Sequence, residues 1–235
     1  MQKYEKDGLL SYTLGLFPTF ELLTNCAENV EKLIFSSKLI KTQDVGNLIA
    51  LAEQKNIPIE TNDKLVNKLS PKENCFVIGV FKKFKKPQTK VNKKLVLVNP
   101  SDMGNLGTIF RTALGFGFTN ISLIKPCADY FNPKVIRASM GAVFSLSVEE
   151  FDSFEDFEKQ NTLPLYLFML NGEKNLGEFT TPKENFALVF GNEATGLPRD
   201  YTQKGTSVLI NHSNKIDSLN LPISAAIAMF EFSKK

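Results

Sequence analysis

From residue 95 onward, short apolar runs alternate with stretches of helical periodicity, and this alternation constrains the fold more than any other feature of the chain. Residues 95–98, 121–124, 165–170, 187–190 and 207–210 read as strands. Between them, Leu106, Ile109, Phe110, Ala113 and Leu114 share one helical face. Asn132 followed by Pro133 reads as a cap and first-turn proline for a helix through Ala138, and Ser153 with Asp156 marks the start of a short acidic helix. The last helix, residues 219–232, is apolar almost all round and is predicted to be buried. Apolar strands separated by helices imply an α/β domain whose mostly parallel sheet is covered on both faces. Such open sheets bind ligands beyond the carboxyl ends of their strands, which directs attention to the loops after Val98, Phe190 and Ile210.

The first part of the chain alternates less clearly. Residues 31–36 and 75–81 read as strands, Pro18 can open a helix through Thr24, and Val45, Leu48, Ile49, Leu51 and Ala52 fall at helical spacing within residues 43–55. Asn62 is placed to cap a helix over residues 63–69. This is a small α/β domain with no recognisable nucleophile, metal set or phosphate loop. Between the two parts lie residues 82–94, KKFKKPQTKVNKK, with seven lysines and almost no apolar residue. Such a stretch cannot bury itself and is expected to be a linker. Contact with phosphates and a solvated, self-repelling spacer both account for its lysines. The expected organisation is therefore a domain over residues 1–81, a basic linker over 82–94 and a second domain over 95–235.

Composition removes several classes of function. Three cysteines about fifty residues apart and a single histidine do not form a disulfide framework or a zinc site, so reduced, buried thiols in a cytoplasmic protein without a bound metal are expected. The amino-terminal residues lack the apolar core of a signal peptide, and no run approaches the roughly 20 apolar residues of a membrane span. A net charge of +3 is compatible with nucleic acid without pointing to it.

Each of the three strand-end loops carries residues that chemistry could use. In the first, Gly104 and Gly107 allow close backbone approach where a helix begins, with Asn105 in its first turn and Arg111 six residues later. Arg111 taken alone reads first as a surface salt-bridge partner. The GxGxxG order is absent, Gly115 and Gly117 fall where glycine ends a helix, and no GK[ST] occurs, which disfavours dinucleotide-binding and P-loop readings. In the second loop, Gly191 and Gly196 bracket Glu193 in a tight turn. In the third, Ser218 or Asp217 can cap the last helix, and Asn220 places a polar amide at the mouth of an apolar helix where it needs partners. His212 is a general base by type, but without an identifiable acid partner it reads as an ordinary polar loop residue.

These three segments, in this order and spacing, resemble the three motifs of the SpoU/TrmH-type RNA 2′-O-ribose methyltransferases of the SPOUT superfamily. The likeness covers about residues 95–233 and includes the intervening Arg137-Ala-Ser-Met-Gly-Ala142. The first domain resembles that family's L30e-like RNA-binding domain more loosely.

The resemblance implies S-adenosylmethionine as cofactor, RNA (ribosomal in preference to transfer RNA) as substrate, a deep trefoil knot at the carboxyl edge of the sheet, and a homodimer formed through the catalytic domain. It also implies that Gly191, Asn192, Glu193, Gly196, Leu197, Ile210, Leu219 and Asn220 bind the cofactor. By the same resemblance Arg111, Asn105, Glu193, Ser218 and Asn220 form the catalytic constellation, with Arg111 facing a cofactor held by the other subunit. A guanidinium in water stays protonated to roughly pH 12 or above. Arg111 is accordingly expected to act while gripping the neighbouring RNA phosphate, much of its contribution being electrostatic. The sequence departs from the family at Asn211-His212, where Pro-Met is usual, and at Asn192 and Ala194, where Ser and Gly are common. An RNA-binding relative without catalysis, and a SPOUT enzyme that methylates a base, are the alternatives this reading leaves open.

Overall fold

A computed structural model describes residues 3–70, 75–87, 92–182 and 184–234. They form two units. The first holds the chain up to Phe84 together with Asp129–Ser145; the second holds Lys85–Ala128 and the chain from Leu146 onward.

The first unit is built on a four-stranded sheet, β1 (Leu10–Leu14), β2 (Val30–Phe35), β3 (Ile59–Thr61) and β4 (Val77–Lys82), in the order β1-β4-β2-β3. β4 runs antiparallel to β1 and β2, and β3 is parallel to β2. Tyr12, Ile34, Ile78 and Val80 pack in one apolar cluster, while Leu23, Leu33, Phe35, Leu48 and Val77 pack in another. The expected helices occur as Leu16–Cys26, Gln43–Gln54 and Asp63–Leu69. Asn62 caps the third, its side chain accepting from the Leu65 N–H at 3.1 Å.

β1 has no apolar run to announce it, because its buried polar residues are satisfied inside the fold. Thr13 Oγ1 lies 2.6 Å from Thr19 Oγ1 and accepts the Gly79 N–H at 2.8 Å, while Ser11 donates to the Phe131 carbonyl. The short helix Pro133–Ala138 forms behind its Asn132 cap, as the sequence predicts. The expected continuous second domain over residues 95–235 is nevertheless interrupted, for Asp129–Ser145 belongs to the first unit. Its aromatic side chains explain why: the rings of Phe131 and Phe144 each lie 5.3 Å from that of Phe81. Lys83 adds an ion pair to Asp129 at 2.7 Å. The lysine-rich linker is therefore structured at its start, where β4 runs through Lys82 and Lys83 is engaged, and at its end, where the next strand begins at Lys93; residues 88–91 lie outside the described residues.

The second unit carries a seven-stranded sheet: β5 (Lys93–Val98), β6 (Asn120–Ile124), β7 (Ser147–Phe151), β8 (Leu165–Phe168), β9 (Lys174–Asn175), β10 (Phe186–Phe190) and β11 (Thr206–Leu209). Its order is β7-β6-β5-β10-β8-β11-β9, and every pairing is parallel. In β5, Val96 and Val98 join a cluster with Ala187, Val189, Phe154 and Phe157, while the alternate residues Leu95 and Leu97 are buried as well. That double burial is why the strand reads as an unbroken apolar run. The helices Met103–Gly115 and Leu221–Glu231 pack together, and the Phe232 ring lies 5.0 Å from that of Phe186 in β10.

Two expectations need correction. The last helix is not buried all round: Ala225, Ala228 and Met229 are covered, but Ile223 (52% exposed), Ile227 (37%) and Phe230 (54%) face outward, because within this unit its packing covers only one side. Of the thiols, Cys26 and Cys75 are buried, whereas Cys127 is only half-buried. No helix among the described residues is long and apolar enough to cross a membrane, and they hold no group of three or more metal-ligating side chains.

The path between β8 and β9 matters for the site. These strands are consecutive in the chain, yet β11 lies between them, so residues 169–173 cross its carboxyl end. The crossing is tight. Met169 N–H donates to the Val208 carbonyl at 2.9 Å, and a Cβ added at Gly172 would fall 2.4 Å from the Val208 carbonyl carbon.

Candidate active site

At the carboxyl edge of the second sheet a cleft of about 450 Å³ opens where β8, β10 and β11 end. Residues 168–171, 190–197 and 208–210 form most of its wall, and His212, Ser218, Leu219, Leu221 and Ser224 close it from the third loop and the last helix. Of the residues singled out in the sequence, Gly191, Asn192, Glu193, Gly196, Leu197, Ile210, Ser218 and Leu219 all line this cleft.

The second loop folds back on itself. Asn192 and Gly196 form an isolated antiparallel bridge, with Gly196 N–H donating to the Asn192 carbonyl at 2.9 Å. Gly191 passes so close beneath that a Cβ there would lie 2.1 Å from the Gly196 carbonyl carbon, and Gly196 sits at φ +66°, a left-handed conformation suited to glycine. Asn192 braces the turn with its side-chain amide. Its Oδ1 accepts from the Ala194 N–H at 2.9 Å, and its Nδ2 donates to the Asn99 carbonyl at 2.8 Å.

Glu193 pins this turn to the first loop. One carboxylate oxygen accepts from Ser101 N–H (3.2 Å) and Ser101 Oγ (3.1 Å); the other accepts from Asp102 N–H (3.2 Å) and Asn105 Nδ2 (3.4 Å). Asp102 is also the N-cap of Met103–Gly115, its Oδ1 accepting the Asn105 N–H at 2.7 Å, so the carboxylate of Glu193 rests at a helix N-terminus, where negative charge is favoured. Burial pushes the Glu193 carboxyl up, but its own N–H, those of Ser101 and Asp102, and the Asn105 amide outweigh burial and hold it below the usual carboxylate range. The sign follows: the pin's contribution to stability is present above the carboxyl's unfolded-state pKa and is lost as pH falls through the lowered folded value.

The other residues are placed differently. Arg111 lies on the exposed side of Met103–Gly115, outside the wall of this cleft, and makes no hydrogen bond or ion pair with another described residue. The salt bridge weighed for it from sequence does not occur. The last helix is capped by neither Ser218 nor Asp217. Asn220 holds the N-cap position, its carbonyl accepting from Ile223 and Ser224 N–H at 3.0 Å, while its exposed amide makes no capping bond. His212 lines the cleft with Nδ1 2.8 Å from the Ile210 carbonyl. The loop after Val98 does not line the cleft and reaches it through Glu193 and Asn192, and residues 168–171 beyond β8, which carry no motif in the sequence, take its expected place in the wall. That strand's apolar run was legible, but its loop carries no motif.

Comparison with known proteins identifies the relatives of this arrangement. An uncharacterized tRNA/rRNA methyltransferase of Synechocystis is 28% identical over 173 residues, which cover 72% of this chain and 62% of that protein. The 23S rRNA (guanosine(2553)-2′-O)-methyltransferase RlmP of Bacillus subtilis is 30% identical over 142 residues, covering 59% of this chain and 57% of the relative. The chain thus spans less than two thirds of the length of either relative. An AdoMet-bound rRNA methyltransferase from Sinorhizobium meliloti shares the fold at a TM-score of 0.79, with 23% identity over 95% of this chain and 87% of its own. Residues 92–230, which hold the parallel sheet, the Glu193 pin and the whole cleft, match the model of the SpoU rRNA methylase family, and the chain belongs to that family.

Proposed function

We propose that this protein transfers a methyl group from S-adenosylmethionine to a ribose 2′-hydroxyl of structured RNA, ribosomal in preference to transfer RNA. The observation that carries the reading is the cleft at the carboxyl edge of β8, β10 and β11, with Glu193 fixing beside it the loop that leads into the Arg111 helix. The residues fit the cofactor. A volume of about 450 Å³ falls within the roughly 300–1,000 Å³ of small-molecule sites. Leu197, Ile210 and Leu219 supply apolar walls for a planar base, and Gly191, Asn192 and Gly196 bring backbone groups to the rim. When bound, S-adenosylmethionine supplies a methyl group on a sulfonium, electrophilic without help from a metal.

The chain's own part is to position the ribose and to stabilise its hydroxyl oxygen while the hydroxyl proton passes to solvent water. Arg111, exposed and without a partner among the described residues, grips the phosphate beside the reacting ribose and offsets the negative charge that develops on the oxygen. Asn105 and Glu193 hold the Arg111 helix in register with the cofactor loop, and Ser218 and Asn220 complete the constellation. Because Arg111 does not line its own protomer's cleft, the reading calls for a homodimer, and Ile223, Ile227 and Phe230 give the last helix an apolar surface for it. The crossing of residues 169–173 over β11 supports a deep trefoil knot around the cofactor loops. The first unit, with its four-stranded L30e-like sheet, serves as the RNA-binding domain, in a cytoplasmic setting.

The preference for ribosomal RNA draws on the family's description and on the Bacillus subtilis relative's name. Mass spectrometry of ribosomal and transfer RNA from cells with and without the gene tests it. Loss of a 2′-O-methyl nucleotide from ribosomal RNA is expected; a loss confined to transfer RNA would correct the substrate, and unchanged ribose methylation in both pools would reject the function.

A further inference from the structure

We propose that Arg199 binds the carboxylate at the amino-acid end of the methyl donor, an assignment that rests on reading the cleft as the S-adenosylmethionine site. Among the described residues that line the cleft, Glu193 is the one carboxylate, Arg199 the one guanidinium and His212 the one imidazole, and none is a lysine. Glu193 is committed. Both its oxygens accept hydrogen bonds from the first loop. Arg199 is not, for its guanidinium makes no hydrogen bond or ion pair with any described residue, and only its carbonyl is engaged, accepting from Thr202 Oγ1 at 3.0 Å.

The backbone beneath Arg199 is firm. It opens the 3₁₀ turn Arg199–Lys204 directly after Pro198, and Tyr201 N–H donates to the Pro198 carbonyl at 3.1 Å. Tyr201 is itself buried, its ring 4.5 Å from that of Phe154 in the core. A solvent-exposed cation is thus presented at the cleft from an anchored turn, with no ion pair to any described residue.

The donor offers one anion. Adenine and ribose are neutral, the sulfonium and ammonium are positive, and the carboxylate alone suits a guanidinium, whose planar fork matches it in a bidentate pair. An unpaired cation in the cleft would otherwise oppose a positively charged ligand. With the carboxylate against it, Arg199 selects for a donor that carries its amino-acid end and orients that end. The chain's three arginines, among 28 basic residues, are Arg111, Arg137 and Arg199, so the guanidinium here stands out from a surface otherwise served by lysine.

Calorimetric titration separates this assignment from the reading beneath it. The full chain and its Arg199→Gln and Arg199→Lys variants are titrated with S-adenosylhomocysteine and with 5′-methylthioadenosine, which keeps the adenosine and sulfur but lacks the amino acid. Arg199→Gln is expected to weaken S-adenosylhomocysteine about 10- to 100-fold, as befits loss of a charge-assisted pair. Arg199→Lys should lose less, and 5′-methylthioadenosine should bind all three proteins alike. Unchanged S-adenosylhomocysteine affinity in Arg199→Gln overturns the assignment, and if RNA binding weakens instead, the residue serves the RNA. Equal losses for both ligands overturn it too, since they would reflect a damaged cleft. If the unaltered chain binds neither ligand, the cofactor reading falls and takes the assignment with it.

Discussion

Arg111→Ala is expected to lower RNA methylation by about 100- to 1,000-fold, the usual cost of removing a preorganised group that stabilises transition-state charge. Cofactor affinity should stay within about twofold, because Arg111 is no part of the cleft wall. Thermal stability should hold as well: the side chain is exposed and bonds to no described residue, and such surface substitutions usually shift stability by no more than ~0.5 kcal/mol. The pattern is what distinguishes the role. A structural arginine would take stability with it, and a cofactor ligand would take affinity. Single-turnover methylation, calorimetry and a melting curve on one preparation read all three, and wild-type turnover in the variant would remove Arg111 from the reaction.

Gly191→Ala should have the largest effect on the cleft itself. The new Cβ would lie 2.1 Å from the Gly196 carbonyl carbon and 2.3 Å from both the Gly196 oxygen and the Leu197 nitrogen. All three are backbone atoms, so no change of rotamer relieves the clash. The turn must open, breaking the bridge between Asn192 and Gly196 and displacing Glu193 from the helix it pins. Overpacking of this kind costs roughly 1–3 kcal/mol. At about 2–4 °C per kcal/mol for a chain of this size, the melting temperature should fall by several degrees. S-adenosylmethionine binding should drop below detection, since the displaced residues form one wall of the cleft. A variant that melts and binds like the parent would show that the turn does not shape the site.

How much of this was legible in the sequence depended on where each residue's partners lie. β5, β6 and β10 could be read because both of their faces meet apolar neighbours, and the caps at Asn62, Asn132 and Ser153 because capping is a local bond. β1 was hidden by Ser11 and Thr13, whose partners Phe131 and Gly79 are distant in the chain. β7 was hidden by Glu149 and Glu150 on an edge strand, and β9 by having only two residues. The assignment of Asp129–Ser145 to the first unit turns on Phe81, which no local pattern reveals.

The site divides in the same way. Gly191, Gly196 and Glu193 carry a motif, so resemblance located them. The wall from Phe168 to Asn171 carries none, and only the sheet order β10-β8-β11 brings it to the cleft; Arg199 follows the second loop directly but belongs to no motif. The last helix shows the reverse error. Its all-apolar composition suggested full burial, yet Ile223, Ile227 and Phe230 are exposed in the folded chain.

The central claim is that this family member moves a methyl group onto ribose. Its most direct test incubates the purified chain with S-adenosylmethionine labelled in the methyl group and RNA from cells lacking the gene, then digests the RNA to nucleosides for mass analysis. Label in a single 2′-O-methylnucleoside is the predicted result. Label on a base, or no transfer by a preparation that binds the cofactor, would contradict it.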